Sequence, residues 1–238
     1  MRFLFCAVSI FYVTLWGALS PAVAQRGDER GALAGADARA DLVAAQALAL
    51  SKLPATRWVH RPGGQDWTRA GLTALRSHAA GLVDLVPQDI VAWCPAYPQA
   101  EAPARRAFWV GFASALAKFE STYRATAVGG GGRWFGLLQI TPATARGYGC
   151  EARSGGALKD GAANVRCALR IMAHTVARDG VLHGYRGGKG QGVTADWGPM
   201  HSAKKRADMA GWLRKQSYCT PLSQNRPRGK PAARGAGE

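Results

Sequence analysis

The spacing of apolar residues along the chain predicts a mainly helical protein. Between Asp37 and Leu53 apolar residues recur every three or four positions, and the pattern ends at Pro54. A second run with this spacing begins at Asp66 or Trp67 and continues to about Val83. Both runs are typical of helices with one buried face.

Three later segments extend the helical pattern. The clearest helix is predicted from Pro103 to Phe119, where Pro103 suits a first turn. Further helices are predicted over 164–178 and 202–215, and a short helix after Thr141, which we expect to be its N-cap. Residues 184–192 are rich in glycine and predict a loop. We therefore expect a mainly α fold with little or no sheet.

The first 24 residues have the pattern of a secretory signal peptide. Arg2 precedes an apolar run from Phe3 to Leu19, and small residues up to Ala24 suit a cleavage site before Gln25. An uncleaved membrane anchor is the alternative, disfavoured because the run is shorter than a bilayer span requires. We expect a periplasmic or secreted protein.

The cysteines agree with export. Removal of the signal peptide leaves Cys94, Cys150, Cys167 and Cys219, and four cysteines in an exported chain suggest two disulfides. Of the three pairings that are available we favour Cys150 with Cys167, which closes a short loop, and Cys94 with Cys219. Zinc is disfavoured because the sequence has no C-x-x-C pair and no histidine within four residues of these cysteines.

The strongly basic composition indicates an anionic partner. Lys and Arg number 31 against 15 Asp and Glu, a formal charge of +16. In an exported protein we expect that partner to be an anionic polymer of the cell envelope, contacted partly by the basic segment 224–238, which has almost no residues to bury. Nucleic acid is not expected, because no recognisable binding motif is present. The histidines have no metal-binding spacing, so we expect neither metal nor cofactor.

Glu120 is the strongest candidate for acid–base chemistry. It follows the predicted helix directly, and Phe119, Trp134 and Phe135 can surround it with an apolar wall. Such a wall raises the pKa of a carboxyl group and suits it to act as a general acid near neutral pH. The next acidic residue is Glu151, so the segment expected to form the opposite wall offers no second carboxylate.

The motifs that follow Glu120 resemble the soluble lytic transglycosylase (SLT) catalytic domain of the lysozyme-like superfamily. The resemblance covers about Pro103 to Met172 and continues weakly to Cys219. It is carried by Glu120-Ser121, Gly136-Leu137-Leu138-Gln139-Ile140, Pro142-x-Thr144-Ala145 and Tyr148-Gly149. We therefore expect a signal peptide over 1–24, a linker over 25–38, an SLT domain with an N-terminal helical extension over 39–222, and a disordered basic tail over 223–238.

The resemblance implies a lytic transglycosylase that acts on peptidoglycan, and we expect it to be a monomer. It would cleave the β-1,4 bond between N-acetylmuramic acid and N-acetylglucosamine, with Glu120 as the single acid and base and a 1,6-anhydro sugar as product. Ser121 and Gln139 match family residues that line the cleft, and Asn164 matches a helix start for which we expect a structural role.

One family element is missing. Members commonly carry an A-Y-N-x-G string whose tyrosine hydrogen-bonds the catalytic glutamate, and no such string occurs here. Tyr185 and Trp197 are the candidates to fill that wall and bind substrate.

Two alternative functions stay open at this point. A lysozyme-type hydrolase would use Glu151, Asp196 or Asp208 to activate water. A non-catalytic protein of a secretion apparatus would bind peptidoglycan without cutting it.

Overall fold

The computed structural model describes residues 53–221. The predicted signal peptide, linker and basic tail, and nearly all of the helix predicted from Asp37 to Leu53, lie outside the described residues. No helix in the described range is long and apolar enough to cross a membrane.

Residues 53–221 are mainly helical, as the sequence predicted. The α-helices are α1 (Gly64–Ala74), α2 (Ala80–Asp84), α3 (Ile90–Trp93), α4 (Ala102–Glu120), α5 (Pro142–Gly147), α6 (Gly161–Asp179) and α7 (Ala203–Leu213). Short 3₁₀ turns connect them at Tyr97–Gln99, Ala157–Lys159, Val193–Ala195, Gly198–His201 and Ser217–Cys219. The single helix predicted up to Val83 is therefore two helices, with a turn over residues 75–79 between them.

Helix α4 lies at the centre of the core. Phe108, Trp109, Phe112 and Leu116 are all fully buried, and the helix is buried on nearly every side from Ala107 to Ala117. An interior helix of this kind is apolar all round. Its buried indole is satisfied, because Trp109 Nε1 donates to the Tyr97 hydroxyl at 2.8 Å. The core therefore fixes the axis of α4, and with it the position of Glu120 at its last turn.

Helix α6 packs against α1 and begins three residues earlier than the sequence suggested. Asp160 is its N-cap, with a side-chain oxygen that accepts from the Ala163 N–H at 2.7 Å. Asn164 is thus inside the helix and fully buried, rather than at its start. The prediction of its position was wrong, since Asp160 supplies the better-placed cap.

Two small antiparallel sheets flank the helices. Strand β1 (Val128–Gly129) pairs with β2 (Trp134–Phe135), and β3 (His183–Arg186) pairs with β4 (Lys189–Gly192). The second pair is a hairpin where the sequence predicted a glycine-rich loop. Its turn needs glycine, because Gly187 and Gly188 both have positive φ.

Two disulfides close the fold. Cys94 at the end of α3 is joined to Cys219 near residue 221, where the described range ends, and Cys150 is joined to Cys167, which anchors the segment after α5 to α6. Among the described residues no group of three His, Cys, Asp or Glu side chains is arranged to hold a metal ion.

Candidate active site

Glu120 is the last residue of α4, at the point where this buried helix reaches a cleft. Its carboxyl group has no Lys, Arg or His nitrogen within ion-pair distance among residues 53–221. Burial raises the pKa of this carboxyl to about 7, and the positive charge of Lys205 opposes part of that rise. At neutral pH both the protonated and ionised forms are therefore populated.

Ser121 holds the end of this helix in place. It is 3% exposed, and its hydroxyl donates to the Leu137 carbonyl at 2.9 Å. The same oxygen accepts from the backbone N–H of Arg124 at 3.2 Å. Ser121 therefore lies behind Glu120 and connects it to the turn 136–140, and it does not line the cleft.

The turn 136–140 is built around Asn164. The side-chain oxygen of Asn164 accepts from the Leu138 N–H at 2.9 Å, and its amide nitrogen donates to the carbonyls of Phe135 and Leu158, each at 3.0 Å. Gly136 has φ 82°, and a Cβ there would collide with Asn164 and the Leu158 carbonyl. These contacts explain both the glycine and the buried asparagine, and they position Gln139.

The side chain of Glu120 lines a cavity of about 270 Å³. A volume of this size accommodates one sugar residue with its substituents. The cavity is lined by Phe119, Glu120, Trp134, Gln139, Asp196, Trp197, Gly198, Pro199 and Lys205. It thus combines three charged groups with aromatic surface, which suits a polar ligand with apolar ring faces.

Two tryptophans contribute differently to the cavity. Trp134 is 42% exposed, and the positive φ of Gly130 lets the β1–β2 turn pass directly beside its ring. Trp197 is almost fully buried, and its indole N–H donates to the Leu138 carbonyl at 2.9 Å. Trp134 therefore offers a face on which a sugar can stack, whereas Trp197 forms the floor and fixes the turn beneath it.

Asp196 is a second carboxyl group in the same cavity. The hydroxyl of Tyr148 donates to it at 3.3 Å, and no cationic side chain lies within ion-pair distance in the described part of the chain. Burial raises the pKa of Asp196 above its usual value. The segment between Glu120 and Glu151 has no carboxylate, as noted from the sequence, but residues 196–199 also line the cleft and bring Asp196 into it, as the hydrolase alternative requires.

The residues predicted from the sequence are only partly brought together. Glu120, Gln139 and Trp197 line one cavity, whereas Ser121 and Tyr185 do not. The hydroxyl of Tyr185 is hydrogen-bonded to His201 Nδ1 at 2.9 Å, on the outer side of the Gly198–His201 turn. No tyrosine in the described range hydrogen-bonds Glu120, so the missing family tyrosine has no direct replacement there.

Three residues that shape the cavity were not singled out as site residues from the sequence. Trp134 was seen only as part of an apolar wall, Asp196 only as one of three distant carboxylates, and Lys205 only as part of a basic run. The sequence signal available for Asp196 was its position directly before Trp197, which already was a candidate.

Comparison with known proteins agrees with this architecture. Residues 98–207 match the family model of the transglycosylase SLT domain. The chain therefore carries an SLT domain with a lysozyme-like, mainly α fold. Family and fold support a peptidoglycan-acting function of the lytic transglycosylase type.

Solved structures of Bd0314 DslA are similar to this chain. The wild-type form 2 and one glutamate-to-glutamine mutant each share 25% identity with a TM-score of 0.65, and a second such mutant shares 24% identity with a TM-score of 0.64. Each match covers 71% of this chain and 100% of the DslA chain. No curated protein matches the sequence.

Proposed function

We propose that this protein is a lytic transglycosylase that cleaves the β-1,4 bond between N-acetylmuramic acid and N-acetylglucosamine, with Glu120 as its acid and base. The observation that carries the proposal is the position of Glu120, on the wall of a sugar-sized cavity in surroundings that raise its pKa to about 7. A carboxyl group with this pKa can give and take a proton near neutral pH.

In the first step, protonated Glu120 donates its proton to the glycosidic oxygen. The bond from that oxygen to C1 of muramic acid breaks, and N-acetylglucosamine leaves with the proton as a hydroxyl group. Positive charge develops at C1, where the 2-acetamido oxygen of the substrate stabilises it. The role of the apolar surroundings is to keep the carboxyl protonated until substrate binds.

In the second step, Glu120 is a carboxylate and acts as the base. It takes the proton of the 6-hydroxyl of the same muramic acid, and the oxygen forms a bond to C1. The product is a 1,6-anhydro sugar, Glu120 is protonated again, and no water is consumed. One carboxyl group therefore suffices for the full cycle.

The other cavity residues are proposed to bind the glycan strand. Trp134 offers an exposed aromatic face, and Gln139 lies at the turn held by Ser121 and Asn164. Tyr185 remains a proposed contact for a neighbouring sugar, because it is 48% exposed next to the turn that also supplies Pro199 to the cavity. Ser121 is proposed to act through Glu120 rather than on the sugar.

The test of the catalytic assignment is Glu120→Gln, with Glu151→Gln as the matched control. Glu151 is 79% exposed and does not line the cavity. We expect Glu120→Gln to lose release of soluble fragments while it still folds and sediments with peptidoglycan, and Glu151→Gln to behave as wild type. Full cleavage by Glu120→Gln would contradict the proposal.

Hydrolysis is the second candidate, and the position of Asp196 favours it. Of the three carboxylates considered from the sequence, only Asp196 lines the cavity with Glu120. Asp208 is held by Arg57 and Lys118, and Glu151 points to solvent. If Asp196 activates a water molecule that attacks C1, then Asp196→Asn should specifically abolish the products that have reducing ends. Equal yields of these products from wild type and from Asp196→Asn would rule out this role of Asp196.

Non-catalytic peptidoglycan binding is disfavoured, because within residues 53–221 Glu120 has no ion-pair partner and lies on a sugar-sized cavity with a raised pKa; the comparison of Glu120→Gln with wild type decides between binding and cleavage. We place the protein in the periplasm or outside the cell, because two disulfides are typical of oxidising compartments. We propose that it works as a monomer without cofactor, and that its basic surface retains it on anionic envelope polymers.

A further inference from the structure

Lys205 places a positive charge in the cavity that contains Glu120. It lies in the first turn of α7, where its backbone N–H approaches the N-cap Ser202 Oγ at 3.4 Å. Its Nζ lies 5.6 Å from the ring centroid of Phe119, the residue before Glu120. The helix start and this aromatic contact therefore fix the ammonium group beside the acid.

The charge of Lys205 is available to a ligand. Phe119 is flanked by two lysines, and Lys118 on its other side is paired with Asp208 at 3.0 Å. Within residues 53–221 no carboxylate oxygen lies within ion-pair distance of Lys205. A cation that lines a cleft without a protein partner is placed to meet an anion from outside.

The start of α7 is unusually positive for a helix. Its first turn contains Lys204, Lys205 and Arg206 and no acidic residue. The N-terminal end of a helix already carries partial positive charge, so cations there lower helix stability. A bound anion would offset this cost, and departures of this kind from local rules are expected at functional sites.

The substrate offers one carboxylate close to a sugar ring. The rings of the glycan strand are uncharged, but muramic acid carries a lactyl group on O3. This group is a free carboxylate when the stem peptide has been removed and a neutral amide when the peptide is attached. Carboxylates of the stem itself lie farther from the ring, beyond a cavity that holds one sugar residue.

We propose that Lys205 binds the free lactyl carboxylate of the muramic acid seated next to Glu120, so that this enzyme prefers glycan strands without stem peptides. The inference rests on the proposed function and deepens it. It also places the reaction after one that hydrolyses the amide between the lactyl group and the stem peptide.

The test compares peptide-free strands, prepared by amidase treatment, with stem-bearing strands of similar length. Initial rates are measured for wild type, Lys205→Gln, Lys205→Arg and the matched control Lys204→Gln, since Lys204 is exposed and does not line the cavity. We expect wild type to favour peptide-free strands about tenfold in kcat/KM, the usual effect of a charge-assisted hydrogen bond. Lys205→Gln should lose this ratio, and Lys205→Arg and Lys204→Gln should keep it.

Two results would overturn the proposal. The first is a Lys205→Gln variant that slows both substrates by one factor, which would show an effect on Glu120 alone. The second is a wild-type preference for stem-bearing strands that Lys205→Gln abolishes, which would assign the bound carboxylate to the stem peptide.

Binding separates this inference from the proposed function. Affinity for both strand types is measured in Glu120→Gln and in Glu120→Gln combined with Lys205→Gln, where no cleavage is needed. If wild type cuts neither strand, the proposed function fails, yet tighter binding of peptide-free strands that depends on Lys205 still supports the inference. Equal binding of both strands by Glu120→Gln would contradict it.

Discussion

The hydroxyl of Ser121 donates a 2.9 Å hydrogen bond to the Leu137 carbonyl, and this bond connects the end of α4 to the turn that carries Gln139. The two walls of the cavity are thereby held at a fixed separation from the inside. The precision of the site thus depends on a buried residue that does not touch the cleft.

Ser121→Ala should impair both stability and turnover. The change leaves the Leu137 carbonyl and the Arg124 N–H without their partner, so we expect the free energy of unfolding to fall by about 1 to 3 kcal/mol. Urea unfolding and initial rates at saturating substrate measure the two effects. The control is Ser77→Ala, an exposed serine bonded to the Thr73 carbonyl; an equally small effect at both positions would refute the role of Ser121.

Gly136→Ala should destabilise the protein strongly. Its backbone has φ 82°, and the new methyl group would meet Asn164 and the Leu158 carbonyl. We expect a loss of at least about 2 kcal/mol in the free energy of unfolding. Gly147→Ala is the control, because nothing lies within 4 Å of a Cβ at that position. Similar unfolding midpoints for the two variants would contradict the account of this turn.

Activity should decline as the pH rises through about 7, because Glu120 must be protonated in the first step. Lys205→Gln should shift this decline in activity to higher pH with both substrate types, since Lys205 lowers the pKa of Glu120. The measurement is kcat/KM against pH. If kcat/KM declines at the same pH in wild type and in Lys205→Gln, then Lys205 does not lower the pKa of Glu120.

The raised pKa of Glu120 also affects stability. The folded protein binds this proton more tightly than the unfolded chain, so the stabilisation is complete below the ordinary pKa of 4.5 and is lost as the pH rises through about 7. Glu120→Gln should therefore gain stability over wild type at pH 8, on the order of 1 to 3 kcal/mol, and gain nothing at pH 4. Unfolding by urea at both pH values checks this, and a difference independent of pH would contradict it.

Trp134→Ala should weaken binding to glycan strands. The ring is 42% exposed, so a stacked sugar would lose its platform, while the β1–β2 turn loses the part of the ring that packs against it. We expect about tenfold weaker binding in the Glu120→Gln background. Trp197→Phe provides the contrast, because it removes the bond to the Leu138 carbonyl and should mainly lower stability. Unchanged affinity in Trp134→Ala would exclude stacking there.

The sequence predicted α4, the start of α5 and the position of Glu120 because those features are local. Apolar spacing defined α4 closely, and Thr141 caps α5 through its side chain as the sequence suggested. The opposite wall could not be predicted in this way. Asp196 and Lys205 reach the cavity through the fold of residues 193–205 across the cleft, and no local pattern encodes that approach. Asn164 was misplaced because Asp160 caps the helix, and its buried role depends on Leu138 and Phe135, which lie 26 and 29 residues away in the sequence.

In the proposed mechanism, Glu120 alone cleaves the glycan bond without water. The most direct measurement is mass spectrometry of the soluble fragments that the oxidised protein releases from purified peptidoglycan, beside those from Glu120→Gln. Wild type should release fragments one water lighter than hydrolytic products, and Glu120→Gln should release none. Fragments with ordinary reducing ends would contradict this mechanism and transfer the second step to a water molecule activated by Asp196.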